Sequence, residues 1–369
     1  MKKHYFLGLA AGIDHPYRCL FIHGSKRSAE EITDYLSKRY SGEALFCKNG
    51  RSALTLALKA YFAPGDKILV NGFTCYAVYE AVKAAGMQPV FADISRENLN
   101  FTAESLKRAV TEDVTGVIVQ NSLGNPVDIH EIEKFAGKHG LVIIEDLAHS
   151  VGLKYPDGRE AGTVGAATVL SFGKEKAVDA VSGGAVILRH PVRHRIQAPK
   201  KLPKLSDYLR ERWYPVFGLW CRRLTRVKLG GCLMRFLIKV HWVEKSADSR
   251  LDISRRATYF EAKIALRELS KIRRSSERRL REFYLVDDRA SVLKELKKAG
   301  YYFDGFWYEK PVSPERYYKK VHFDERACPI AAEVCQQIVN LPGYYSDKDL
   351  SKAREIIMKH LVNKESSGR

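Results

Sequence analysis

The chain is poor in acid, in paired cysteine and in long apolar runs. Asp and Glu number 43 against 62 Lys and Arg, a formal net charge of +19 over 369 residues. Such an excess favours anionic partners: phosphorylated metabolites, a membrane surface or nucleic acid. Motifs that read duplex nucleic acid are absent, so no nucleic-acid partner is expected. The seven cysteines are Cys19, Cys47, Cys75, Cys221, Cys232, Cys328 and Cys335, an odd number with no CxxC pair. That pattern supports neither a disulfide framework nor a structural zinc site, and a reducing, cytoplasmic setting is the expectation. No run of about 18 apolar residues exists, so no transmembrane helix is expected. The start MKKHYFLGLAAGIDH is basic, but its apolar stretch is too short for a signal peptide. There is no GxxxxGK[ST], which excludes a P-loop, and there are no internal repeats.

What is present is alternation. From about residue 43 to 189, short β-rich runs (EALFC, KILVNG, PVFAD, GVIVQ, LVIIED) alternate with helical patterns (SALTLALKAYF, AVYEAVKAAG, AESLKRAV, IHEIEKFAGKHG). This predicts βαβ units on a mostly parallel sheet, with ATVLSF and GAVILR as further strands. Gly86 and Gly140 follow their helical runs as C-terminal stops. Residues 1–188 are read as a large α/β domain. Residues 251–369 are read as a linking helix, starting near Arg256 and continuing towards Tyr284, then a small α+β domain with a frayed NKESSGR tail.

Between them, residues 189–250 carry 16 Lys and Arg against 4 Asp and Glu, which is +12 of the total charge, and three of the four tryptophans, Trp213, Trp220 and Trp242. Three readings of this basic insert stand side by side. It is a helical pair packed on a dimer with solvated arginines, a set of arginines for a nucleotide diphosphate, or an interfacial amphipathic element meeting anionic lipid through 205–243.

In open α/β sheets, ligands bind beyond the carboxyl ends of the strands. Asp146 ends LVIIED, and His149 follows three residues later. By itself Asp146 reads equally as a helix cap. Lys176 lies in the loop between the last two strands, with Lys174 as a competitor. A lysine held in a cleft loses basicity and forms Schiff bases, although most loop lysines are only solvated charges. Gly50, Arg51 and Ser52 open a helix, where free backbone N–H groups favour an anion.

The order of these features resembles the DegT/StrS group of nucleotide-sugar aminotransferases. The segments that carry the resemblance are NGRSALTLAL, PGDKILVNGFTC, PVFADISRENLNF, VIVQNSLGNPVDIHEIEKFAGKHGLVIIEDLAHSVG, GTVGAATVLSFGKEKAVDAVSGGAVI and ATYFEAKIALREL. It implies the fold-type-I architecture of pyridoxal 5'-phosphate (PLP) transferases: a mostly parallel seven-stranded sheet in a large domain, with a small C-terminal domain. It implies Lys176, five residues after Ser171, as the Schiff-base lysine. Asp146 would meet the pyridine nitrogen, His149 the phenolic oxygen, and Ser171 the phosphate with the Gly50, Arg51 and Ser52 N–H groups. Ser254 stands where the family has an Asn reaching the partner subunit's phosphate, and Arg256 matches a recurrent Arg. Cys75 stands where an aromatic residue stacks on the cofactor, leaving Tyr76 or His149 to cover the ring. Arg51 replaces a usual Thr, and Asn121 and Asn125 replace residues that are often His and Gln. The resemblance further implies a homodimer. It would move an amino group from an amino acid, L-glutamate by expectation, to a nucleotide-linked keto sugar in glycan or polysaccharide synthesis. Some relatives carry His in place of the lysine and dehydrate sugars, so retention of Lys176 favours transamination. A PLP-dependent dehydratase or lyase, or a non-catalytic member, is the alternative.

Overall fold

The computed structural model describes residues 4–6, 16–225, 229–244, 248–272, 280–303, 306–343 and 345–362. Seven strands form the central sheet: β1 (Glu43–Cys47), β2 (Lys67–Asn71), β3 (Gln88–Ala92), β4 (Val114–Gln120), β5 (Val142–Asp146), β6 (Ala167–Ser171) and β7 (Gly184–Leu188). Their spatial order is β1-β7-β6-β5-β4-β2-β3. Strands β2 to β6 pair in parallel, and β7 runs antiparallel to both β1 and β6. The sheet expected from the alternation is therefore present, with one reversed strand.

Both faces of the sheet are covered, which is why its strands read as nearly continuous apolar runs. Helix α1 (Lys26–Tyr40) leads into β1, and α2 (Gly50–Tyr61), α3 (Tyr76–Ala85), α4 (Ala103–Ala109) and α5 (Ile129–His139) connect the strands from β1 to β5. Alternate strand residues enter opposite cores. Ile68, Val70, Ile118 and Ile144 pack with Leu54 and Leu58 of α2 and Val82 of α3. Leu69, Val117 and Val119 pack with the other layer, which holds Ile32 and Leu36 of α1 and Ile132 of α5. Gly86 and Gly140 adopt left-handed backbone (φ 93° and 66°) and end α3 and α5 as read from the sequence.

The insert folds as α6 (Leu205–Thr225) and α7 (Gly230–Lys239). Tyr214 and Cys221 of α6, Leu237 of α7 and Val243 form a small core with Val181 of the lysine loop. The linking helix α8 (Tyr259–Lys271) starts on a Thr258–Glu261 capping box. Phe260, Ile264 and Leu269 are buried in the core that α1 and α5 share, so this helix belongs by packing to the large layer. The reading that extended it towards Tyr284 is corrected. The helix ends at Lys271, residues 273–279 lie outside the described residues, and Arg281–Leu285 is strand β8. β8 pairs antiparallel with β9 (Ile338–Pro342), so Phe283 and Tyr284 alternate across a sheet, a geometry that suits aromatic side chains. Helices 289–298, 329–337 and 347–358 complete an α+β C-terminal region, with Val292, Leu296, Leu341, Leu350 and Ile357 at its centre. The tail NKESSGR lies outside the described residues. Among the described residues, no helix is long and apolar enough to cross a membrane.

Candidate active site

A cavity opens at the carboxyl ends of the strands. It is lined by Gly50, Arg51, Cys75, Asp146, His149, Ser171 and Lys176 among others, so seven of the sequence candidates meet there.

Asp146 ends β5, and its register partner on β4 is Gln120. The Gln120 amide donates to Asp146 Oδ2 at 3.0 Å, and the Ala148 N–H donates to Oδ1 at 3.0 Å. The Thr74 hydroxyl donates to Gln120 Oε1 at 2.8 Å and so fixes which way that amide points. Burial pushes the Asp146 carboxyl above its ordinary range, opposed by these donors and by Lys176. A buried carboxylate with only neutral hydrogen-bond partners gains most from a cationic N–H.

His149 lies within hydrogen-bond reach of the lysine. The Leu123 N–H donates to His149 Nδ1 at 3.2 Å, while Nε2 lies 3.0 Å from Lys176 Nζ and 3.4 Å from the Tyr308 hydroxyl. Burial, Lys176 and Arg281 hold the imidazole well below its usual pKa, so the ring is neutral. With Nδ1 accepting, the single ring proton sits on Nε2 and points at the lysine. An ammonium there would face another donor, so the neutral amine is the compatible partner. Burial independently lowers the Lys176 pKa. Leu123 reaches its position with φ 55°, left-handed backbone that costs a non-glycine residue about 1–2 kcal/mol.

Lys174 points elsewhere. Its Nζ donates to the Glu244 carbonyl and lies 4.1 Å from the Tyr214 ring centroid, so it ties the lysine loop to the insert. The loop itself is pinned at both flanks by Asp179, which accepts from the N–H groups of Glu175 (3.1 Å) and Val181 (3.0 Å). Arg281 of β8 pairs with Glu175 next to Lys176.

The anion end is built at the start of α2. A Cβ on Gly50 would lie 2.6 Å from Ser171 Cβ and 2.9 Å from its hydroxyl, so glycine leaves a cradle that any side chain would fill. Asn49 caps α2 by accepting from the Ser52 N–H at 2.9 Å. The expected Ser52 donor is therefore already used, and Gly50 and Arg51 supply the remaining N–H groups at this positive helix end. The Ser52 hydroxyl accepts from the Asp252 N–H at 3.0 Å, holding the segment after the insert. The Arg51 guanidinium pairs with Glu80 at 2.6 Å and also donates to the Ser249 carbonyl, so its charge is largely committed within the protein.

Ser254 lies away from this cavity; its hydroxyl donates to Asp252 at 2.7 Å, and it lines a second cavity with Lys200, Lys201 and Ile253. One expectation needs correction. Tyr76 does not cover the site, because it stacks on Tyr317 at 4.3 Å and 12°. Asn121 and Asn125 are buried loop braces: Asn121 accepts from Val127 N–H (3.0 Å), and Asn125 donates to the Ser122 carbonyl (2.8 Å).

Several lining or supporting residues were not found in the sequence. Trp307 stacks on His149 (5.1 Å, 26°), with Lys176 Nζ 4.8 Å and Arg281 4.4 Å from its ring centroid. Asp207, Arg210, Glu211, Tyr214 and Trp242 bring the insert into the cavity wall. Gln120 carried a usable signal, since it ends its strand as Asp146 does.

Set beside known proteins, the chain is similar to one family over its large domain. Residues 23–204 match the DegT/DnrJ/EryC1/StrS aminotransferase family. It is 31% identical over 162 residues to GDP-perosamine synthase of Vibrio cholerae, covering 44% of this chain and 43% of that one. It is 29% identical to dTDP-4-dehydro-2,6-dideoxy-D-glucose 3-dehydratase of Saccharopolyspora spinosa, covering 70% of this chain and 56% of that one. These matches span well under two-thirds of the length of the curated relatives. The crystal structure of a DegT DnrJ EryC1 StrS aminotransferase from Brucella abortus superposes with a TM-score of 0.67 at 20% identity, covering 93% of this chain and 94% of that one. The fold is that of the PLP-dependent aminotransferases, as the sequence implied.

Proposed function

We propose that the protein is a PLP-dependent aminotransferase acting on a nucleotide-linked keto sugar. The observation that carries this reading is the convergence of Lys176, Asp146 and the Gly50–Ser171 cradle on one cavity. A cavity with a neutral amine, a buried carboxylate lacking a cationic partner and an anion cradle has the donor set that pyridoxal phosphate needs. Ser171 and the N–H groups of Gly50 and Arg51 would hold the phosphate, Asp146 the ring nitrogen, and Lys176 the carbonyl carbon. When bound, the cofactor supplies an electron sink for charge developing at the substrate carbon.

The protein's own groups do the rest. Gln120 and Ala148 aim the Asp146 carboxylate. His149 keeps the Lys176 amine free of its proton, so the same nitrogen can attack, leave and return as a general base. Trp307 and Tyr308 close the cavity on the small-domain side and hold His149. The family and the relatives named as sugar-modifying enzymes support a nucleotide-sugar acceptor. Glutamate is the donor that the resemblance implies. We also read the protein as a homodimer in which Ser254, remote from its own cavity, serves the partner's.

The test is an absorption spectrum of the purified protein with pyridoxal phosphate, then borohydride reduction and peptide mapping. A yellow band with the reduced adduct on Lys176, bleached by glutamate with release of 2-oxoglutarate, is the expected result. A yellow band with no glutamate half-reaction, together with loss of water from a nucleotide sugar, would establish the dehydratase reading. No band and no adduct would leave a non-catalytic family member.

A further inference from the structure

The insert lines the cavity with one face and presents an unusual surface with the other. Of the eleven large hydrophobic residues that are exposed among the described residues, eight fall between Leu202 and Trp242. Two more, Tyr17 and Phe21, adjoin them, since Trp220 Nε1 donates to the Tyr17 hydroxyl at 2.8 Å. Helix α7 is apolar on both sides. Leu233, Leu237 and Ile238 pack inward against α6 and Val181. Leu229, Cys232, Phe236 and Val240 recur at helical spacing and face out, with Phe236 59% and Leu229 56% exposed. A short helix with apolar residues on opposite sides belongs in a protein core or at a lipid boundary, and among the described residues Leu229, Phe236 and Val240 stay exposed on the outer side of α7.

Charge is sorted across the same element. All four acids of 189–250 (Asp207, Glu211, Glu244 and Asp248) are buried or half-buried. Asp207, Glu211 and Glu244 line the cavity, and Asp248 pairs with Arg316. The exposed ionic groups are cationic: Arg193, Arg195, Lys200, Lys201, Lys204, Arg223, Arg235 and Lys239 among the described residues up to Glu244. A second copy docking two-fold about the outer side of α7 would bring Arg235 and Lys239 against their own copies, cation to cation. An anionic surface with an apolar interior complements both properties at once.

We propose that the outer face of α7, with the exposed ends of α6, docks on an anionic lipid bilayer as a peripheral contact. The side chains of Phe236, Val240, Leu229 and Trp220 enter the boundary region, and Arg223, Arg235 and Lys239 of the same two helices meet lipid phosphates. Trp242, at once exposed and part of the cavity wall, places the active-site mouth beside the membrane. This inference stands on the surface and is independent of the reaction.

Vesicle flotation of the full-length protein tests it. The protein is expected to float with phosphatidylglycerol-containing vesicles and to sediment with pure phosphatidylcholine. The double variant Phe236→Asp, Val240→Asp is expected to lose about tenfold or more in vesicle affinity. A second pair, Arg235→Glu with Lys239→Glu, leaves the packed residues Leu233 and Leu237 untouched and is expected to lose affinity by a similar factor. Failure of the unaltered protein to float, or equal binding to neutral vesicles, overturns the proposal. So does conversion of a dimer to monomers by either variant, which would make the face an interface between copies.

Discussion

The central sheet and the basic insert meet at one cavity but follow opposite designs. The sheet hides its apolar residues on both faces and brings single polar groups to its strand ends: Gln120, Asp146 and Ser171. The insert turns its acids towards the cavity and leaves apolar and cationic residues outside. Function in the sheet is set by periodicity, since a residue that ends a parallel strand must reach the ligand crevice. Function in the insert is set by packing, because nothing in its sequence says which face turns inward.

The two neighbouring lysines give the sharpest way to break that comparison. Lys176→Ala is expected to abolish the reducible adduct and lower turnover by about 10³-fold or more. Lys174→Ala, which releases the tie to Glu244 and Tyr214, is expected to keep the adduct on Lys176 and to raise KM more than it lowers kcat. Mass spectrometry after borohydride reduction, with steady-state kinetics, checks both.

A smaller effect is expected at His149. Replacing its Nε2–H by a carboxylate in His149→Glu puts an anionic acceptor beside Lys176 and raises the lysine pKa. Attack needs the neutral amine, so the pH at which cofactor capture is half-maximal is expected to move up by about one unit. Stopped-flow absorbance against pH reads this, and an unchanged profile would remove His149 from control of the lysine.

Gly50→Ala sharpens the role of the cradle. Its Cβ would meet Ser171 at 2.6 Å, and the backbone of α2 must shift to accept it. Cofactor affinity is expected to fall, and stability to drop by about 1–3 kcal/mol, in titration and urea unfolding respectively.

The smallest expected effect lies where insert and linking helix touch. Burial pushes the Glu261 carboxyl up to about 7, with Glu211 of α6 against it. Between about pH 4.5 and 7 the folded chain keeps a proton that the unfolded chain has released. Stability therefore falls as pH rises through that window. Glu261→Gln removes this group's share of the titration, leaves that of Glu211, and keeps an acceptor for the Thr258 N–H. It is expected to flatten this part of the stability-against-pH curve, read by urea unfolding, by on the order of 1 kcal/mol.

Much of the sheet was legible because it is local. Alternation, glycine stops and strand-end polar residues all act within ten or so positions of chain. The same locality explains the errors. Ser52 read as a phosphate donor until Asn49 took its N–H, and no local signal showed that Arg51 would pair with Glu80 on the next helix. The run towards Tyr284 read as helix because the strand that pairs with β8 lies more than fifty residues on.

By itself, the sequence determined that an aspartate would end a strand of a mostly parallel sheet and that a lysine would lie in the loop after a later strand, beside a glycine-opened helix. Apolar periodicity and backbone geometry suffice for that. Only the tertiary structure decided which lysine faces the site, that Leu123 fixes the proton of His149, that Trp307 and Tyr308 arrive from the other domain, and that the insert is a wall. Each of these depends on contacts between residues distant in the chain, and such contacts are chosen by packing and burial rather than by neighbours in sequence.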